Sequence, residues 1–186
     1  GMNKADASNT RNVNIRKLRL ILERTGDIAI NYKGGYWSIS IGDDITCDYH
    51  EINKILQEVP DKATVDIATL QRILKLAAGG TLTPTISAEW LDSFKDEYTK
   101  QVTTFMLRML ETSDVKGNNK LILQIADVLL LNDTLDEEAM RIKCQILFRM
   151  GQKGASKRCY DTFVAEHTRL LNEKPAISYE DILSDL

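Results

Sequence analysis

The spacing of the hydrophobic residues changes along this chain, and that change limits the folds it can adopt. In residues 9–24, Ile15, Leu18 and Leu22 recur at intervals of three and four, which places them on one face of a helix. In residues 28–41 the interval becomes two, as in a half-buried strand. We therefore predict a helix followed by strands in this part of the chain.

The alternating segment divides into two halves at Lys33-Gly34-Gly35, a combination typical of a tight turn. Gly42-Asp43-Asp44 then fits a turn better than a strand. The segment is thus predicted to be a β-hairpin, whose alternating residues are Ile28, Ile30, Tyr32, Trp37, Ile39 and Ile41.

Only helical patterns follow from about residue 48. Two helices are expected before Gly79-Gly80, and Ser87 is expected to cap a long helix over residues 88–111. The predicted buried stripe of that helix comprises Trp90, Leu91, Phe94, Tyr98, Val102, Phe105 and Met109. Shorter helices are predicted over residues 119–131, 136–150 and 155–173, with a last one capped near Ser178 and running to the C-terminus.

Composition and charge narrow the class of protein. The longest apolar run is four residues, Val128 to Leu131, far short of the roughly 20 that a membrane-spanning helix needs. We therefore expect a cytoplasmic protein that does not associate with a membrane. Residues 1–42 carry seven Lys and Arg against three Asp and Glu, about +4, which leaves about −7 for residues 43–186. Only the first part of the chain has the charge that nucleic acid favours.

Consecutive helices joined by short connections are expected to pack as antiparallel pairs. Leu131-Asn132-Asp133 recurs forty positions on as Leu171-Asn172-Glu173, which hints at stacked helical repeats. The fold class predicted is mostly α: a helix plus hairpin over residues 1–45, followed by a tetratricopeptide-like all-helical domain over residues 46–186.

Two stretches resemble known families. The run from Asn12 to Arg19, followed by residues 28–39, resembles the recognition helix and wing of OmpR-like winged-helix domains. Five later segments resemble the bacterial transcriptional activator domain of antibiotic-regulatory-protein-type regulators; they are Asp48-Tyr49, residues 78–82, Glu89-Trp90-Leu91, residues 135–139 and Arg158-Cys159-Tyr160. The two resemblances occur in the order that this family uses.

The chain also departs from that family. Lys95 stands where members of that family usually have an arginine, and Thr134 stands where they usually have a proline that breaks the helix. The sheet and two helices that precede the recognition helix in the family have no counterpart, so the resemblance implies a truncated, partial winged helix. Ile15, Leu18 and Leu22 would then lose most of their burial partners, at about 1.5–3 kcal/mol per large apolar side chain.

A helix that lies in the major groove needs exposed side chains able to bond base edges and phosphates. Lys33, at the hairpin tip, would contact the DNA backbone, and Arg19 lies on the exposed side of the helix. The helix residues that fit base or phosphate contacts are Arg11, Asn12, Asn14, Arg16 and Lys17. The alternative is that this basic face is only solvated surface.

Catalytic and metal sites find little support. His50 and Glu51 project about 100° apart on a helix, and His167 is distant, so no metal site is expected. Cys144 and Cys159 have no neighbouring histidine and are expected to be inert, reduced core thiols.

We therefore expect that the protein is not an enzyme and binds no cofactor or metal. We expect instead a transcription regulator, or a fragment of one, that binds double-stranded DNA. Its helical domain would mediate homodimerisation or contact with another protein partner, such as the transcription machinery. A helical-repeat interaction scaffold that does not itself bind DNA is the other hypothesis.

Overall fold

A computed structural model of the chain describes residues 3–24, 26–59 and 65–184. Within these residues the protein is mostly helical, with one two-stranded antiparallel sheet. Its elements in chain order are α1 Lys4–Leu22, β1 Ile28–Lys33, β2 Tyr36–Ile41, α2 Asp48–Glu58, α3 Ile67–Ala77, α4 Glu89–Leu110, α5 Ser113–Lys116, α6 Asn119–Asn132, α7 Glu137–Arg149, α8 Lys153–Leu171 and α9 Tyr179–Ser184.

The chain divides into two compact units, Gly1–Cys47 and Asp48–Leu186. The first unit holds α1 and the hairpin, and the second holds the remaining helices. The boundary expected from the sequence, between residues 45 and 46, lies two residues before this division.

The predicted hairpin is confirmed, with Ile30 opposite Ile39 and Lys33 opposite Tyr36. The turn between the strands is only Gly34 and Gly35, whose φ angles are +63° and +88°. Positive φ at both central residues is the condition for the type I′ turn, which matches the twist of paired strands. Glycine meets this condition without the steric cost that other residues carry.

The apolar face of the hairpin is only partly covered. Ile30 is 8% exposed, whereas Ile39 on the opposite strand is 59% exposed. Leu18 of α1, expected on the buried face with Ile15 and Leu22, is also exposed. The first unit therefore packs one edge of α1 against β1 and leaves the apolar face of β2 open.

The second unit has a continuous core in which α6 packs against α3, α4 and α7. Its most completely buried side chains, all less than 2% exposed, include Ile52, Leu70, Ile73, Met106, Met109, Leu121, Ile125 and Leu129. A second, smaller cluster consists of Met140, Cys144, Phe163 and Ile182, and joins α7, α8 and α9.

Local capping explains several helix starts. Asp66, Asn118 and Asp136 each accept a hydrogen bond from a backbone N–H three residues later. The expected cap of the last helix is confirmed, because Ser178 and Asp181 exchange side-chain-to-backbone hydrogen bonds at 3.1 and 3.0 Å. That helix is described to Ser184, and its expected continuation to the C-terminus lies outside the described residues.

Two expectations for α4 were wrong. Ser87 is not its N-cap; Ala88 holds that position, without a side-chain hydrogen bond. Trp90 and Phe94 are not buried but 72% and 48% exposed, whereas Tyr98 is 4% exposed as predicted. The buried stripe of α4 is therefore narrower than the sequence pattern suggested.

Within the described part of the chain, no helix is both long and apolar enough to cross a membrane.

Candidate nucleic-acid interface

Helix α1 presents most of its length to solvent. Arg16 and Lys17 are exposed and make no hydrogen bond or ion pair with the described residues around them. Arg11 is also exposed and donates a hydrogen bond to Ser8 Oγ, one turn earlier, at 3.2 Å. Exposed, largely unpaired cations are what contact with phosphates requires, because an ion pair within the protein would have to be broken first.

The six predicted contact residues of α1 do not form a single face. Consecutive residues of a helix project about 100° apart, so Arg16 and Lys17 point in different directions. By the same spacing, Asn12 and Arg16 lie on one side of the helix, and Asn14 lies on the opposite side. All six are exposed, but a duplex lying along one side of α1 would meet only some of them.

Arg19 already has partners inside the first unit. Its Nη2 donates a hydrogen bond of 2.8 Å to the carbonyl oxygen of Ile30, and its guanidinium lies 5.9 Å from the centre of the Trp37 ring. A cation over an aromatic face and a charge-assisted hydrogen bond both stabilise this position. Arg19 thus fixes α1 against the hairpin. Its guanidinium is therefore less available than that of Arg16 to bond a DNA base.

Lys33 lies at the tip of the hairpin, next to the Gly34-Gly35 turn, as the sequence predicted. Tyr36 lies directly opposite it and is 79% exposed. Lysine and tyrosine side chains are both among those that donate hydrogen bonds to phosphate oxygens. Tyr36 was not among the contact residues predicted from the sequence, although the turn position and the strand alternation place it opposite Lys33.

The two ends of the hairpin differ in charge. Lys33 is at the tip, whereas Asp27, Asp43 and Asp44 lie at the open end, where the Gly42 N–H donates to the Asp27 carbonyl oxygen at 2.6 Å. Strands of six residues separate the two ends by roughly 20 Å. The tip can therefore approach a polyanion while the acidic residues stay away from it.

The turn provides a prediction about the local fold. Gly34→Val should destabilise the hairpin by about 1–2 kcal/mol, because an L-residue is strained at a φ of +63°. A Cβ at this position would meet no atom within 4 Å, so the effect reports backbone conformation and not a clash. Amide hydrogen exchange of β1 and β2 should accelerate accordingly.

Gly34→Asn is the matched control, since asparagine tolerates a positive φ. It should leave exchange in both strands nearly unchanged. Equal exchange rates in the two variants would contradict the turn geometry.

Comparisons with protein-family models, with curated protein sequences and with solved structures give no significant match. The resemblances to OmpR-like winged-helix domains and to the bacterial transcriptional activator domain therefore rest only on the residues that carry them. Within the described residues, no group of three or more His, Cys, Asp or Glu side chains is placed to hold a metal ion.

Proposed function

We propose that this chain is a DNA-binding transcription regulator, or a fragment of one. Helix α1 would act as a recognition helix in the major groove and the hairpin as the wing of a partial winged helix. The helical unit would be a tetratricopeptide-like domain that mediates dimerisation or contact with another protein, as its resemblance to the bacterial transcriptional activator domain implies.

One observation carries the DNA-binding part of this proposal. A solvent-exposed basic helix is followed directly by a hairpin with a lysine at its tip, and Arg19 ties the two together through Ile30 and Trp37. In several DNA-binding motifs an element held beside the recognition helix adds contacts to the backbone or to the neighbouring groove. The Arg19 contacts supply that connection.

The helical unit supports the second part through its packing. Helices α6, α7 and α8 are joined by connections of four and three residues and pack successively against one another. Such consecutive antiparallel helices are the unit of stacked helical repeats. Asn132 and Asn172 of the repeated segment both lie where a helix ends.

A scaffold that does not bind DNA is the second candidate, favoured by the exposed aromatic side chains of α4. Trp90 and Phe94 are exposed at the start of that helix, and aromatic residues are enriched in protein interfaces. In this case α1 and the hairpin would contribute only solvated surface.

Salt dependence of binding to a mixed-sequence DNA duplex distinguishes the two functions. If two or three of the cations Arg11, Arg16, Lys17 and Lys33 neutralise phosphates of one duplex, the logarithm of the association constant should fall with the logarithm of salt concentration with a slope of about −2 to −3. The measurement is fluorescence anisotropy of a labelled duplex titrated with the full chain between about 50 and 200 mM salt.

A scaffold would show no saturable anisotropy change at any of these salt concentrations. Saturable binding with a slope near zero would also contradict the proposal, because phosphate contacts by cations release counterions.

A further inference from the structure

Helices α7 and α8 bring two of the three cysteines together. Cys144 is fully buried on α7, and its thiol donates to the Ser156 carbonyl oxygen of α8 at 3.4 Å. Ser156 Oγ donates back to the Cys144 carbonyl oxygen at 2.8 Å. This reciprocal pair of bonds fixes the two helices at this level. Cys159 lies three residues after Ser156, on the same side of α8, and packs against the buried cluster that contains Cys144.

The two thiols differ in access. Cys144 is 0% exposed, whereas Cys159 is half-buried and lines a partly open cavity of about 570 Å³ between α6, α7 and α8. Leu130, Met140, Leu147 and Phe163 form much of the apolar lining of that cavity. A small neutral molecule that enters it reaches the Cys159 sulfur before the Cys144 sulfur.

The surroundings also make Cys159 the better nucleophile. The interaction with the neighbouring Cys144 thiol lowers the pKa of Cys159, and the positive charge of Lys143 lowers it further, whereas burial and the negative charge of Asp127 oppose both effects. The same interaction between the thiols, together with burial, raises the pKa of Cys144. Lys143 also lines the cavity and is held by Asp127, with 2.6 Å between Nζ and Oδ1. A thiolate is the reactive form of cysteine, and a nearby cation favours it.

We infer that Cys159 is a peroxide-reactive thiol and that Cys144 is its resolving partner, so that the pair forms a reversible disulfide between α7 and α8. An accessible thiol beside a cation, with a second thiol packed next to it, is the arrangement found in redox-responsive proteins. This inference goes beyond the proposed DNA binding and does not depend on it.

The chemistry needs only hydrogen peroxide as oxidant. The Cys159 thiolate attacks one peroxide oxygen, the O–O bond breaks, and the departing hydroxide takes a proton to become water; Cys159 is then a sulfenic acid. The Cys144 sulfur next attacks the Cys159 sulfur, the S–O bond breaks, and the hydroxyl group leaves as water with the Cys144 proton. Two thiols have been oxidised to one disulfide, and one peroxide has been reduced to two waters.

The third cysteine serves as an internal control. Cys47 is half-buried in the first unit and, within the described residues, has neither a thiol nor a cationic partner.

Trypsin separates the other two cysteines, because it cleaves after Lys143, Arg149, Arg158 and Arg169. Cys144 and Cys159 therefore fall on separate peptides, residues 144–149 and 159–169. A disulfide between them links these two peptides and lowers the intact mass by two hydrogens.

The experiment treats the full chain with hydrogen peroxide and maps the tryptic peptides without reduction. We expect the linked peptide pair to appear and to separate on adding a thiol reductant, and Cys159 to react about tenfold faster than Cys47.

Cys144→Ser keeps a donor for the Ser156 carbonyl oxygen, and it should trap Cys159 as a sulfenic acid detectable with a dimedone probe. Lys143→Gln should slow the reaction several-fold, and Lys143→Arg should restore it.

Two results would overturn the inference, and both can be read from the unaltered chain even if a variant fails to fold. One is a Cys159 that stays reduced while Cys47 oxidises. The other is Cys159 advancing to the sulfinic acid without any linked peptides, which would show that Cys144 does not resolve it.

Discussion

A chain carrying Arg16→Ala together with Lys17→Ala is expected to bind duplex DNA about 100-fold more weakly than the unaltered chain at roughly 100 mM salt. A good base contact is worth about 1–3 kcal/mol, neutralised phosphates add to the affinity through counterion release, and 1.4 kcal/mol corresponds to a factor of ten. Neither residue has a partner within the described protein. The double substitution should therefore leave the thermal midpoint of unfolding nearly unchanged. Anisotropy titration of a labelled duplex measures the affinity.

The matched control removes the same charge from the second unit. Lys54 and Lys120 are both exposed, and Lys54→Ala with Lys120→Ala lowers the net charge by the same two units. If DNA binds through α1, this control should weaken binding by less than about threefold, through the long-range field alone. Equal losses in the two double variants would mean that net charge, and not the α1 surface, attracts the duplex.

The hairpin could be predicted closely because its signals are local. Strict alternation on both sides of Gly34-Gly35 specifies the strands, the turn and the register at once, since a two-residue turn permits only one pairing. The observed pairing of Lys33 with Tyr36 follows from these local features.

The start of α4 shows where the helical pattern is ambiguous. Trp90 and Leu91 are adjacent, so they project about 100° apart and cannot both lie at the centre of one buried stripe. The stripe is centred on Leu91, Tyr98 and Val102, which leaves Trp90 well outside it and Phe94 at its edge. A sequence with apolar residues at both adjacent positions does not reveal which of them faces the core, because that depends on the neighbouring helices.

The contacts of Arg19 and of the Cys144–Cys159 pair could not be predicted from the sequence, for a different reason. The sequence places Arg19 on an exposed part of a basic helix, but its hydrogen bond to Ile30 depends on how α1 docks on the hairpin. Likewise, Cys144 and Cys159 looked like separate core thiols because fourteen residues lie between them. Their proximity follows from the packing of α7 against α8, which no local pattern encodes.

The second prediction concerns the core of the helical unit. Ile125→Ala is expected to lower the free energy of unfolding by about 2–5 kcal/mol, because it removes buried methyl and methylene groups and leaves a cavity that the neighbours only partly fill. Ile125 is 0% exposed in α6, the helix that packs against α3, α4 and α7. Urea unfolding followed by far-ultraviolet circular dichroism measures the loss.

Ile67→Ala makes the same chemical change at a position that is 42% exposed, on the first residue of α3. It should cost less than about 1 kcal/mol, since surface substitutions away from special features have small effects. The difference between the two variants isolates burial from helix propensity, because both place alanine in a helix. If they destabilised equally, α6 could not be the central helix of this unit, and the stacked-pair arrangement built around it would fail with it.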